Sequence, residues 1–201
     1  IWAPGGAQDR PVKPEDIVKP AGFDMNQWLG PAPEAEYSFA RCQASTGIWH
    51  NYDYAIGFLA GWGAHPLDIA VWGVKEQMKD VSTHKGTGAF FPEGMYFNTV
   101  NNWDIDIKYD KGLTAHFMST DWAQDTLTKY LDQPAGDGTA FHGEKGWISI
   151  SRGQVASNIP EIHKKLNVEV HGENGRHGEN FIKVITGEIK EIAPLEDAIL
   201  S

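Results

Sequence analysis

The stretch "NNWDIDIKYDKGLTAHFMST", residues 101–120, limits the fold more than any other part of the chain. Ile105, Ile107 and Tyr109 alternate with Asp104, Asp106 and Lys108. After the turn "DKG", Leu113, Ala115 and Phe117 alternate with Thr114, His116 and Met118. Successive strand side chains point to opposite faces, so this pattern predicts a hairpin with one covered and one polar face. A second hairpin follows in "TAFHGEKGWISISRG", turning at "GEKG", with Trp147, Ser149 and Ser151 on one face and Ile148 and Ile150 on the other. Two consecutive hairpins imply an antiparallel sheet. Further upstream, "DVSTHKGTGAF" alternates only weakly.

Before the hairpins the period is helical. Pro66 suits the first turn of a helix, where its missing N–H costs nothing. Leu67, Ala70, Val71 and Val74, with Ile69 and Trp72 beside them, leave a narrow polar face, which predicts a buried helix of about three turns. A late helix is expected from about Glu179 to Thr186, stopping at Gly187, and "PLEDAILS" opens another. The fold class is therefore α+β: a predominantly antiparallel open sheet with helices on one face.

The 201 residues suit one domain. Residues 1–36 are rich in Pro and Gly, which predicts an irregular arm without helix or central strand, pinned by Trp2, Phe23, Trp28 and Leu29. Residues 37–201 form the α+β body, and 37–60 read as loop, with aromatic and polar groups clustered in "GIWHNYDYAIG". The chain starts at Ile1 rather than Met and its last helix has only begun. Both features lead us to expect a piece of a longer, two-domain chain.

A formal net charge of −10 and the absence of a basic patch argue against nucleic acid or an anionic membrane surface as partner. No apolar run is long enough to span a membrane. The single cysteine, Cys42, excludes an internal disulfide framework and a multi-cysteine zinc site, but fixes no compartment; localisation stays open. Eight tryptophans suit either a Trp-rich core or a pocket for a flat, sugar-like ligand.

The chemistry concentrates in "GFLAGWGAHPLDIAVWG", residues 57–73. His65 stands at the start of the expected helix, whose positive end disfavours imidazolium. A neutral imidazole accepts a proton, as a general base must. Asp68, expected within the first turn, could orient that ring. The competing reading is a capped helix running into a core. Two sets could supply N and O metal ligands, His50 with Asp53 and His65, and His171 with Glu173, His177 and Glu179. Neither has the spacing of a metal motif, so no metal is expected. No G-x-S-x-G is present, and the glycines of "APGGA" and "KGTGAF" do not form G-x-G-x-x-G in a βαβ unit.

"GWGAHPLDIAVWG" resembles the signature of the Gfo/Idh/MocA oxidoreductases, in the domain that follows their Rossmann domain. "FDMNQWLGPAP", "IWHNYDYAIG", "FHGEKGWISISRG" and "HGENFIKVITGE" resemble further segments of the bacterial branch, in the family's order. The resemblance implies the substrate-binding and oligomerisation domain of an NAD(P)-dependent enzyme acting on a sugar, inositol or related polyol by hydride transfer at a ring carbon. The cofactor would be bound mainly by the N-terminal domain, and this chain alone would be inactive. The open sheet face would pack against another copy. His65 matches the catalytic histidine; Trp49, Tyr52 and Tyr54 would flank the sugar; Asp68, Arg152 and His177 match further substrate-side positions. The sequence departs from the pattern at Gly61, where many members carry the acid of a D-x-x-x-H dyad. Other readings consistent with these residues are a redox-assisted glycosidase of the same superfamily and a non-catalytic carbohydrate-binding or assembly subunit.

Overall fold

The computed structural model describes residues 1–6, 18–42, 47–131, 136–152, 154–165 and 177–201, with residues 163–165 described by backbone alone. Its centre is a seven-stranded sheet in the order β2-β3-β4-β1-β5-β6-β7. The strands are β1 (Trp2–Ala3), β2 (Ser82–Phe90), β3 (Val100–Tyr109), β4 (Thr114–Ser119), β5 (Gly138–Gly143), β6 (Gly146–Ser151) and β7 (Gln154–Ser157). Both expected hairpins form, β3–β4 and β5–β6. All strand pairs are antiparallel except β1 with β4. β2, the weakly alternating stretch, lies at one edge and carries a register shift between Ala89 and Phe90.

The helices are α1 (Met25–Leu29), α2 (Phe39–Cys42), α3 (Phe58–Gly61), α4 (Ala64–Met78), α5 (Thr120–Leu127), α6 (Pro160–Lys165), α7 (His177–Ile185) and α8 (Leu195–Leu200). The fold is α+β with a mostly antiparallel open sheet. None of the described helices is long and apolar enough to cross a membrane.

Trp2 and Ala3 are adjacent strand residues and so face opposite sides of the sheet. Ala3 packs with Trp103 and Phe117 under Phe58, Leu59, Trp62 and Leu67 of the α3–α4 segment. Trp2 packs with Ala123 and Leu127 of α5. Most helix cover therefore lies on one face, as expected, while α5 closes part of the other over the middle of the sheet. The rest of that second face, opposite Ile105 and Ile107, carries Asp104, Asp106, Lys108, Thr114 and His116, with Asp104 and His116 paired at 2.5 Å.

The structure corrects several local expectations. The first residues of the Pro/Gly arm are the central strand, because the apolar Trp2 and Ala3, both buried, precede Pro4, the first residue that could not donate to a ladder. The same arm holds α1, whose first turn is capped by Asp24 accepting from the Gln27 N–H at 3.0 Å. The 37–60 loop contains α2 and α3. α4 is a full turn longer than expected, since it starts at Ala64, and it is broken by non-helical geometry at Val74. This places Asp68 in its second turn rather than its first. Trp72, placed in the buried set, is 73% exposed, since the buried stripe of α4 is only Pro66, Ala70, Val71 and Met78.

Candidate functional site

The loop 47–57 is held as a rigid platform by asparagines. Asn51, buried, donates from Nδ2 to the Tyr96 carbonyl at 3.0 Å and accepts the Asp53 N–H at 2.9 Å. Asn98 accepts the Tyr52 N–H on Oδ1 at 2.8 Å, and its own N–H donates to the His50 carbonyl at 2.9 Å. These bonds satisfy a backbone with no regular ladder, as burial requires. At the end of the loop Gly57 adopts φ +78° against Thr99, where a Cβ would sit 2.7 Å from Oγ1. Both the conformation and the space require glycine.

His50 belongs to the platform's interior. It is fully buried, its ring 4.5 Å from Phe58, 5.2 Å from Phe97 and 5.7 Å from Phe91. Neither ring nitrogen has a hydrogen-bond partner among the described residues. Burial pushes its pKa down to about 4, so it is a neutral core group.

From Phe58 a run of aromatic contacts leads outward. Trp49 meets Phe58 edge-on at 5.8 Å, and Phe58 meets Trp62 at 6.2 Å. Trp62, just past the end of α3, touches two of the nominated residues at once: the His65 ring at 5.4 Å and the Arg152 guanidinium, 5.4 Å above its ring centre. Arg152, which follows β6, is aimed by Asp137, whose buried carboxylate accepts from Nε at 3.1 Å. His65 is the second residue of α4 and is exposed. The first turn of that helix is tied to the sheet by Thr139, whose hydroxyl donates to the Pro66 carbonyl at 2.5 Å. No side-chain hydrogen bond caps α4, so neither His65 nor Asp68 serves as its cap. An imidazole and a guanidinium thus share one indole at the surface, each fixed from a different element. Together they can accept a proton and bind an oxygen-rich or anionic group.

Beside this cluster lies a shallow apolar groove of about 410 Å³ lined by Ile48, Trp49, Tyr54 and Ile56, with Gly57 and Gly61 on its floor. Tyr54 contributes only its ring, because its hydroxyl accepts from Arg41 at 2.8 Å. Tyr52 is half-exposed on the neighbouring turn and does not line the groove. At Gly61 there is no room for a side chain: a Cβ there would lie 2.7 Å from the Trp49 ring. The position is already filled by the tryptophan of the aromatic loop.

Asp68 lies half-buried on the side of α4 that faces α8. Burial first, and then the negative charge of Asp197, raise its pKa, while His65 opposes them. Asp197 is itself ion-paired with Lys75. His177 opens α7 exposed to solvent; among the described residues no hydrogen bond, ion pair or ring contact joins it to His65, Trp62 or Arg152. The structure therefore brings together His65, Arg152 and, through Phe58, Trp49; Asp68 reaches His65 through charge alone, and His177 does not join them.

Sequence reasoning missed Phe58, Trp62, Asp137 and the platform asparagines. Trp62 had a signal, since it lies three residues before His65 between two glycines; Asp137, 15 residues from its partner, had none. Among the described residues no group of three or more His, Cys, Asp or Glu could hold a metal ion. His171 and Glu173 of the second metal set, and most of the H-G-E-N repeat, lie outside the described residues. The described residues also offer no dinucleotide cradle. Gly86 and Gly88 sit inside strand β2, where a Cβ would strike Ile105 and Val100, and no helix follows them. No family model, curated protein or solved structure matches the chain.

Proposed function

We propose that this chain is the substrate-binding half of an NAD(P)-dependent oxidoreductase acting on a sugar, inositol or related polyol. The observation that carries the reading is the shared seating of His65 and Arg152 on Trp62, beside an exposed aromatic groove. Indole and phenol rings offer flat apolar faces to the C–H side of a pyranose or cyclitol, while Arg152 binds its oxygens. His65, exposed and positioned by the first turn of α4, takes the hydroxyl proton as the ring carbon is oxidised. When bound, the nicotinamide supplies the hydride acceptor. The described residues do not fit that group, so on this reading it is held by another domain, and the chain alone turns over no NAD. Association through the polar face bearing Asp104, Asp106 and His116 belongs to the same proposal.

The test is His65→Ala in a protein that joins this chain to its cofactor-binding domain. Turnover should fall about 10²- to 10⁴-fold, the usual size of a general-base contribution, with folding unchanged. Unchanged turnover would overturn the reading. The filling of position 61 by Trp49, where an acid would complete the dyad, favours a second reading as a carbohydrate-binding subunit. There a sugar titration followed by tryptophan fluorescence should lose its response in Trp49→Ala and keep it within a few-fold in His65→Ala.

A further inference from the structure

The groove and the His65 cluster adjoin, yet they offer a ligand opposite things. At the cluster a guanidinium and an imidazole stand in solvent. In the groove none of the lining residues carries a charge. The polar side-chain atoms there are the Trp49 indole nitrogen and the Tyr54 hydroxyl, and the hydroxyl is turned to Arg41 at 2.8 Å. Arg41 is itself held over the Tyr96 ring, 4.9 Å from its centre, so Tyr54 is kept in that position. The backbone is used up in the same way. The Gly61 N–H donates to the Gly57 carbonyl, and the Tyr54 and Ala55 N–H groups both donate to the Asn51 carbonyl, each at 3.0 Å. A sugar ring carries hydroxyls around its edge, and each one taken from water without a partner costs free energy. The groove therefore favours an apolar group over a sugar.

Its shape favours a flat one. Trp49 lies with its six-membered ring against Gly61 and meets Phe58 edge-on at 90°. The ring is backed on two sides and still 40% exposed, with Ile48 at 45% and Ile56 at 59% beside it. Three exposed apolar side chains are few against the roughly 20–30 residues a side of a stable protein interface. A volume of about 410 Å³ instead falls among small-molecule sites. The groove also connects directly to the cluster. Gly61, on its floor, precedes Trp62, which carries both His65 and Arg152, and adjacent Cα atoms are only about 3.8 Å apart. One ligand can reach both.

We propose that the ligand of this site is an aryl glycoside or aryl polyol conjugate rather than a free sugar. Its oxygen-rich ring lies at Trp62, His65 and Arg152, and its flat apolar substituent lies in the groove on Trp49, between Ile48 and Ile56. The ring end rests on the function proposed above; the preference of the groove does not.

The test titrates the chain with three β-D-glucopyranosides that differ only in the anomeric substituent: methyl, phenyl, and a second glucose (cellobiose). Binding is followed by NMR at the Gly57 and Gly61 amides and the Trp62 indole. The phenyl glucoside should bind about tenfold tighter than the methyl one, part of what full burial of such a ring yields, and move all three signals. Cellobiose should bind like the methyl glucoside. Ile56→Asn, and separately Ile48→Ser, should bring the phenyl advantage within about twofold. Equal affinities, an equal gain for cellobiose, a phenyl advantage kept in both variants, or no shift at either glycine would each overturn the proposal. Glycine shifts without a Trp62 shift would overturn the spanning ligand. Glycine shifts that follow protein concentration without any glucoside would assign the groove to a second copy. The comparison is a ratio at constant sugar and involves no cofactor. Unchanged turnover in His65→Ala therefore defeats the redox reading alone, and equal phenyl and methyl affinities defeat this inference alone.

Discussion

The loop around His50 and the helix start around His65 lie 15 residues apart and share the ring of Phe58, one directly and the other through Trp62. They use the same residue type in opposite ways. His50 is sealed among three phenylalanines with both nitrogens unpaired, whereas His65 stands in solvent with one face on an indole. The difference teaches that a histidine's chemistry is set by what encloses it rather than by its neighbours in the chain. The sealed ring has lost its charge and its hydrogen bonds and acts as a packing unit. The open one makes no hydrogen bond through either nitrogen among the described residues.

The sharpest way to break this contrast is to remove the ring the two regions share. Phe58→Ala should cost about 3–4 kcal/mol in urea unfolding and loosen Trp49 and Trp62 together, seen as a change in tryptophan emission. If Trp62 is unmoved, the two regions are independent. Second is acid. His50 has its folded pKa lowered, so the unfolded state binds its proton first. Stability from this group is present above pH 6.5 and is lost as pH falls towards 4. The loss is on the order of 3 kcal/mol, and His50→Leu should flatten that part of the pH–stability curve. A wild-type slope in the variant would refute the assignment.

Smaller effects separate platform from cluster. Asn51→Ala leaves the Tyr96 carbonyl and the Asp53 N–H without their partner and should cost about 1–3 kcal/mol, while leaving the His65 ring in place. Gly61→Asp, which restores an acid four residues before His65, should cost about 1–3 kcal/mol through overpacking against Trp49. Trp49→Ala should relieve it, and a double-mutant cycle measures the coupling; additive costs would show that Trp49 is not the obstacle. The smallest change in stability is expected for His65→Ala, within about 0.5 kcal/mol, because its exposed side chain makes no hydrogen bond among the described residues. A large loss there would turn the open histidine into a structural one.

The sheet was legible because both hairpins write their alternation into the sequence, and the two faces of β3 and β4 follow from it. The central strand was not, because two residues are too few to carry a period and the prolines after them dominate the reading. Trp72 was misplaced for a related reason: a helix that looks apolar on most sides does not say which stripe meets the sheet. In the site, His65, Arg152 and Trp49 were nominated on motif grounds. What joins them, Phe58 and Trp62, was not, because ring contacts across a helix–helix corner have no fixed spacing. Asp137 pairs with Arg152 only through the β5–β6 hairpin, so no local pattern could point to it.

The register shift near the end of β2 bears on how this protein behaves in a crowded solution. β2 is the longer of the two outer strands, and among the described residues its outer row of backbone groups has no strand partner, so another sheet could adopt it. The opposite edge, β7, is only four residues long. On β2, Lys85 adds a charge, Gly86 and Gly88 weaken strand propensity, and the irregularity at Ala89–Phe90 twists the strand's end out of line just where its exposed phenylalanine begins. The edge is thus poorly suited to templating growth, and Lys85→Val, which removes its charge, should speed aggregation.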